Sequence, residues 1–139
     1  MKAERQKAWR RGRAAERLAM LALTVTGYRI LARNLKAGSL NSGLGEIDIV
    51  ASRGRAIAFI EVKTRGDWAA AAESVPVRQR QRIERAAGSF LAAHPHYASH
   101  QARFDVMLVI PWRWPRHRRL SPGDMYHEGG TIPCMRRFA

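Results

Sequence analysis

Asp48, Glu61 and Lys63 are the residues whose types and spacing best suit chemistry in this chain. Glu61 and Lys63 stand two apart in the run Ala56-Ile57-Ala58-Phe59-Ile60-Glu61-Val62-Lys63. In an extended strand they project from one side, about 6.6 Å apart. Asp48 precedes Glu61 by thirteen positions. It can face the other two from a neighbouring strand if the register brings it there. Two carboxylates converging at a strand end suit a hard divalent cation, Mg²⁺ or Mn²⁺. Such an ion lowers the pKa of a bound water and neutralises charge on a phosphate oxygen. A lysine beside it orients that water or offsets the developing negative charge. The same three side chains also make a structural ion-pair cluster that needs no metal.

The elements that must position these residues follow from periodicity. Residues 45–51, Gly-Glu-Ile-Asp-Ile-Val-Ala, alternate as a strand, with Ile47 and Ile49 on one face and Glu46, Asp48 and Val50 on the other. Residues 52–55 are polar, contain Gly54 and read as a hairpin loop. Residues 57–63 return, with Ala58, Ile60 and Val62 opposite Phe59, Glu61 and Lys63. Upstream, Leu18, Leu21, Ala22 and Val25 recur at helical spacing and Gly27 fits the residue just past the helix end. Residues 28–35 read as a strand and 36–44 as a Gly/Ser/Asn loop. Downstream, Ser74 and Pro76 open a second helix whose buried stripe is Ile83, Ala87, Phe90 and Leu91. Residues 103–110 are apolar on both faces beyond Asp105, the mark of an interior strand. The order helix, strand, strand, strand, helix, strand predicts an α/β sandwich with a mixed central sheet.

An Asp followed at hairpin distance by Glu-x-Lys is the signature of the PD-(D/E)xK nuclease superfamily. The longer match, Gly45-Glu46-Ile47-Asp48-Ile49-Val50 with Phe59-Ile60-Glu61-Val62-Lys63-Thr64-Arg65, closely resembles the YraN-type family of small bacterial proteins. Glu16 with Ala19, Tyr28, Asn34 and Arg103-Phe104-Asp105 extend the resemblance over about residues 12–110. It implies a restriction-endonuclease-like, three-layer fold similar to that of Holliday junction resolvases, and a Mg²⁺- or Mn²⁺-dependent endonuclease acting on DNA. By that resemblance Asp48, Glu61 and the Val62 carbonyl hold the metal, Lys63 orients the attacking water, and Glu16 and Glu46 are accessory acids. Gln79, on the second helix, fits an accessory place loosely; a hydrogen bond to backbone is its other reading. A homodimer fits the resemblance to resolvases, because a branched substrate presents two symmetric scissile bonds. The chain departs from the family pattern in its longer loop at 36–44 and in Gly66-Asp67-Trp68 after Arg65.

Charge points to the same kind of partner. Among 139 residues, Lys and Arg number 25 against 11 Asp and Glu, a net charge of +14. That excess favours a polyanion such as nucleic acid, DNA before RNA. Arg65, Arg78 and Arg82 would line the groove beside the strands. Arg113 and Arg116 alternate with Trp112 and Trp114, a mixture suited to single-stranded or distorted nucleic acid. A non-catalytic nucleic-acid-binding module accounts for the charge equally well.

Length and composition set the remaining bounds. The chain reads as one nuclease-like domain over residues 12–111, with a basic arm at 1–11 and a basic, aromatic extension at 112–139 packed on the same domain. Its single cysteine, Cys134, allows no internal disulfide and fits a reducing, cytoplasmic setting. The most apolar run, residues 18–25, is too short to span a bilayer. His94, His96 and His100 have irregular spacing without interleaved acids and read as a polar loop rather than a metal site. Asp105 reads as an ion-pair partner for an arginine.

Overall fold

The first helix, α1, runs over Lys2–Val25 and ends in a Schellman motif. Gly27 takes a φ of 90°, donates to the Thr24 carbonyl at 3.1 Å, and Tyr28 donates to the Leu23 carbonyl at 2.9 Å. The left-handed backbone at Gly27 is nearly free of cost only without a Cβ, so the sequence itself sets this stop. Tyr28 and Leu23 then pack together in the core. In this computed structural model, residues 1–36, 46–64, 77–110 and 112–119 are described.

Five further elements frame the site. Strand β1 covers Arg29–Lys36, β2 Glu46–Arg53 and β3 Ala56–Lys63; helix α2 covers Val77–Ala93 and strand β4 Gln101–Leu108. A short 3-10 turn at Pro95–Tyr97 links α2 to β4, and a strand β5, Arg116–Arg119, closes the sheet. The five strands lie in sequence order. Pairs β1–β2, β2–β3 and β4–β5 are antiparallel, and β3–β4 is parallel. The parallel pair needs a crossover connection, which contains α2. Periodicity in the sequence predicts the first four strands and both helices but not β5, because Arg116-His117-Arg118-Arg119 has no apolar alternation to mark a strand.

The β2–β3 hairpin is tighter than the polar run predicts. Arg53 pairs with Ala56, leaving only Gly54 and Arg55 in the turn. Gly54 has φ 58°, the positive value that a two-residue hairpin demands at its first position.

Each face of the sheet carries a helix and its own core. On one, Ala15, Ala19, Ala22 and Leu23 of α1 pack on Ile49, Ala51, Ala58, Ile60, Met107 and Val109. On the other, Ile83, Ala86, Ala87 and Phe90 of α2 pack on Ile47, Val50, Ile57 and Phe59. The stripe predicted for α1 is corrected in phase, with only Ala22 of its four residues buried. Leu18, Leu21 and Val25 are 46%, 51% and 67% exposed, while the alanines face inward. Small side chains let the helix axis lie close to the sheet, and that proximity outweighs the larger leucines on the adjoining face. Among the described residues, no helix is long and apolar enough to cross a membrane.

Candidate functional site

The site forms where the sheet loses its regularity. The β2–β3 ladder runs from Arg53↔Ala56 to Ile49↔Ile60 and stops there. Continued one step further, the same register sets Asp48 opposite Glu61. In place of a ladder carbonyl, Asp48 Oδ2 accepts the Val62 N–H at 2.8 Å. A strand residue's N–H and C=O point to the same side. The Val62 carbonyl therefore faces the β2 side, toward the Asp48 carboxylate. The Lys63 carbonyl points the other way, to β4, where it accepts the Val109 N–H at 2.8 Å.

Alternation also breaks at this point, which corrects the expected placement of Ile47. Ile47 and Ile49 should share a face, but Ile49 packs under α1 and Ile47 under α2 with Val50. On the neighbouring strand Leu35 likewise packs on the α2 side, as Ala32 does three residues before it. Between the paired steps Arg33↔Ile49 and Leu35↔Ile47 sit Asn34 and Asp48, opposite one another. Asn34 has φ 48°, a left-handed conformation that asparagine tolerates better than most residues. One left-handed residue turns β1, β2 turns with it, and Asp48 is presented to Val62. In the sequence, Asn34 stands out only through the family resemblance. A lone asparagine in a strand-like run was the available signal for a backbone irregularity.

Glu61 and Lys63 share one side of β3, as alternation predicts, on the face of Phe59. Lys63 Nζ lies 3.5 Å from Glu61 Oε1, and the two side chains are 24% and 17% exposed. The structure thus brings Asp48, Glu61, Val62 and Lys63 to one end of one hairpin. Asp48 and Glu61 both have further polar interactions. Glu16 is half-buried on α1. Among the described residues, no group of three or more His, Cys, Asp or Glu is placed to hold a metal ion.

The proposed nucleic-acid contacts divide. Arg113 and Arg116 are exposed, next to or in β5. Glu46 begins β2, and Arg78, Gln79 and Arg82 lie in the first half of α2, but their side chains lie outside the described part. Arg65, Trp68, Ser74, Pro76 and Cys134, with residues 37–44 of the expected loop, lie outside the described residues, while Lys36 belongs to β1.

A second polar cluster occupies the α1 face, and most of it was missed in the sequence. Asp105 is buried, and its Oδ2 accepts from Arg103 Nε and Nη2 at 3.2 and 3.0 Å and meets His117 Nε2 at 2.5 Å. Arg103 also donates to the Tyr28 hydroxyl. The His117 ring meets Tyr28 edge-on at 5.3 Å, and Arg53 lies over the Tyr28 ring at 4.6 Å. Burial by itself would lower the Arg103 pKa, but the Asp105 charge and hydrogen bond, helped by Tyr28, carry it above its ordinary value. The expected ion pair of Asp105 with an arginine is present. His117 was invisible because it sits in the unrecognised β5.

The three clustered histidines pack against aromatic rings, His94 stacked on Phe90, His96 tilted against Tyr97 and His100 edge-on to Tyr97. His94 lies 4.1 Å from the Phe90 ring and its Nδ1 meets the Phe90 carbonyl at 2.8 Å; His96 packs 4.1 Å from Tyr97. They close the end of α2.

Comparison with known sequences agrees with the extent of the fold. Residues 15–109 match the model of the Uncharacterised protein family UPF0102. A UPF0102 protein of Paramagnetospirillum magneticum is 56% identical over 112 residues, covering 81% of this chain and 86% of the relative. One from Parvibaculum lavamentivorans is 52% identical over 110 residues, 79% of each chain. Another, from Methylorubrum extorquens, is 49% identical over 107 residues, 77% of this chain and 80% of the relative.

Proposed function

We infer function from the premise that this chain belongs to the Uncharacterised protein family UPF0102: it is a metal-dependent endonuclease of DNA, of the PD-(D/E)xK type. The observation that carries this reading is the interrupted ladder. Asp48 and Glu61 oppose each other where β2 parts from β3, Asp48 is pinned by the Val62 N–H at 2.8 Å, and Lys63 stands 3.5 Å from Glu61. A five-stranded mixed sheet with a helix on each face is also the layout of restriction-endonuclease-like folds, and the net charge of +14 suits a polyanionic substrate.

Two carboxylates and a backbone carbonyl are hard oxygen donors, the set that Mg²⁺ or Mn²⁺ prefers. Asp48, Glu61 and the Val62 carbonyl would hold the ion, which supplies an acidified water and charge neutralisation at phosphate. The protein's own contribution is positional. The Val62 N–H fixes the Asp48 carboxylate, and strand geometry fixes Lys63 beside Glu61. Lys63 holds the attacking water and offsets negative charge developing on the phosphoryl group.

A second reading, a nucleic-acid-binding module without hydrolysis, is favoured by the Glu61–Lys63 ion pair, which satisfies both charges without a metal. One assay separates the two. Linear, single-stranded, flapped and four-way DNA are incubated with Mg²⁺, Mn²⁺ or EDTA and wild type, Asp48→Ala or Lys63→Ala. The nuclease reading expects metal-dependent cutting, lowered about 10²–10⁴-fold in Lys63→Ala with binding retained. Cutting by Lys63→Ala at the wild-type rate, or no cutting by wild type with salt-sensitive binding in all three proteins, overturns it.

A further inference from the structure

We propose that the β4–β5 turn and β5 form a platform for an unpaired strand of DNA at the same end of the sheet as Glu61 and Lys63. Cross-strand register carries the first part. Lys63 pairs with Leu108, which pairs with Arg116; Glu61 pairs with Val106, which pairs with Arg118. Paired residues share a face. His117 turns to the α1 face to meet Asp105, so Arg116 and Arg118 project from the opposite face, that of Glu61 and Lys63. The two arginines are exposed and stand two strands, about 9.5 Å, from the candidate catalytic residues. They are about 6.6 Å apart along β5, a short ladder of cations.

Trp112 and Trp114 carry the second part. The β4 and β3 strands end together, so the turn after β4 lies at the Lys63 end of the sheet. Trp114 is 58% exposed and Trp112 fully so, at 103%. Trp112 also has φ 64°, a left-handed value that a bulky residue rarely adopts. Neither core packing nor backbone preference accounts for a tryptophan at that position. An exposed indole held on a turn, followed by alternating arginines, is what base stacking beside phosphate contact requires. Duplex DNA keeps its bases stacked inside and offers such a ring little, so the partner is the unpaired segment of a flapped, frayed or branched substrate.

This proposal rests on the nucleic-acid reading above but not on its cleavage step, so it is tested in EDTA by binding alone. Fluorescence anisotropy would compare a labelled thymidine 20-mer with a blunt 20-base-pair duplex for wild type, the double variant Trp112→Ala/Trp114→Ala, and Arg116→Ala/Arg118→Ala. Wild type should bind both probes with strong salt dependence. Removing the tryptophans should weaken the single strand by roughly 5–150-fold per stacked base, while duplex affinity changes less than about twofold and the urea midpoint holds. Removing the arginines should lower the single-strand salt slope by about 1.4. Unchanged single-strand affinity without the tryptophans, or equal loss on both probes, overturns the platform even if cleavage is intact. Salt-sensitive binding with no cleavage would count against the nuclease reading alone.

Discussion

The two polar clusters of this molecule contain the same ingredients, a carboxylate with cations beside it, and use them differently. Asp105 is buried, and one of its oxygens takes Arg103 twice and His117 once. Asp48 and Glu61 lie where the ladder opens, half-buried, with Lys63 at a looser 3.5 Å and still in reach of solvent. Buried charge ties elements together: Arg103 and Asp105 of β4, His117 of β5 and Tyr28 ahead of β1 meet in one knot through a single carboxylate oxygen and the Arg103 guanidinium. At the open sheet end Asp48 and Glu61 stay partly accessible. The difference teaches that a carboxylate's exposure in this fold follows from whether the sheet around it is closed.

Removing each anchor in turn tests that contrast. Asp105→Ala should destabilise the fold by about 3–5 kcal/mol in urea denaturation, because it strands the Arg103 guanidinium in a largely buried setting without its carboxylate partner. Lys63→Ala should cost under about 1 kcal/mol, since its ion pair is partly solvated. If the two variants lose equal stability, the distinction between a structural and a chemical cluster fails.

Asn34 sharpens the comparison, since the open end depends on its left-handed backbone. Asn34→Val should destabilise by about 1–2 kcal/mol and disturb the placement of Asp48, whereas Asn34→Gly should fold within about 0.5 kcal/mol of wild type. Amide exchange at Val62 provides the local readout. Faster exchange in Asn34→Val but not in Asn34→Gly is expected, and equal protection in both would separate Asn34 from the site.

The smallest effect belongs to Glu84, an acid of α2 in neither cluster. Burial raises its carboxyl pKa above the usual value. A raised folded-state pKa means that stability is fullest below the unfolded value and is lost as pH rises through the folded one. Glu84→Gln should therefore be more stable than wild type near neutral pH, by a few tenths of a kcal/mol given its partial exposure, with the gap closing near pH 4. Urea midpoints at the two pH values check it; a gap that widens on acidification has the wrong sign.

Much of this was legible in the chain itself. Branched and aromatic runs with period two marked β2 and β3, Gly54 marked their turn, and Gly27 marked the end of α1, because these depend on local backbone preference. The same alternation put Glu61 and Lys63 on one side of a strand. What alternation could not reveal was its own failure at Asn34 and Asp48, where two neighbouring strands turn together. The phase of α1 was equally hidden. Hydrophobicity selected Leu18, Leu21 and Val25, while close approach to the sheet selected the alanines.

Sequence by itself therefore determined the order of the two helices and first four strands, the family, and which residues have the chemistry for a site. Tertiary structure decided which of them meet. His117 joined Asp105 only because an arginine-rich segment without apolar pattern pairs with β4. Asp48 reached Val62 only because the β2–β3 ladder ends at Ile49 and Ile60. Both outcomes depend on hydrogen bonding between strands distant in sequence, a long-range constraint that no local preference encodes.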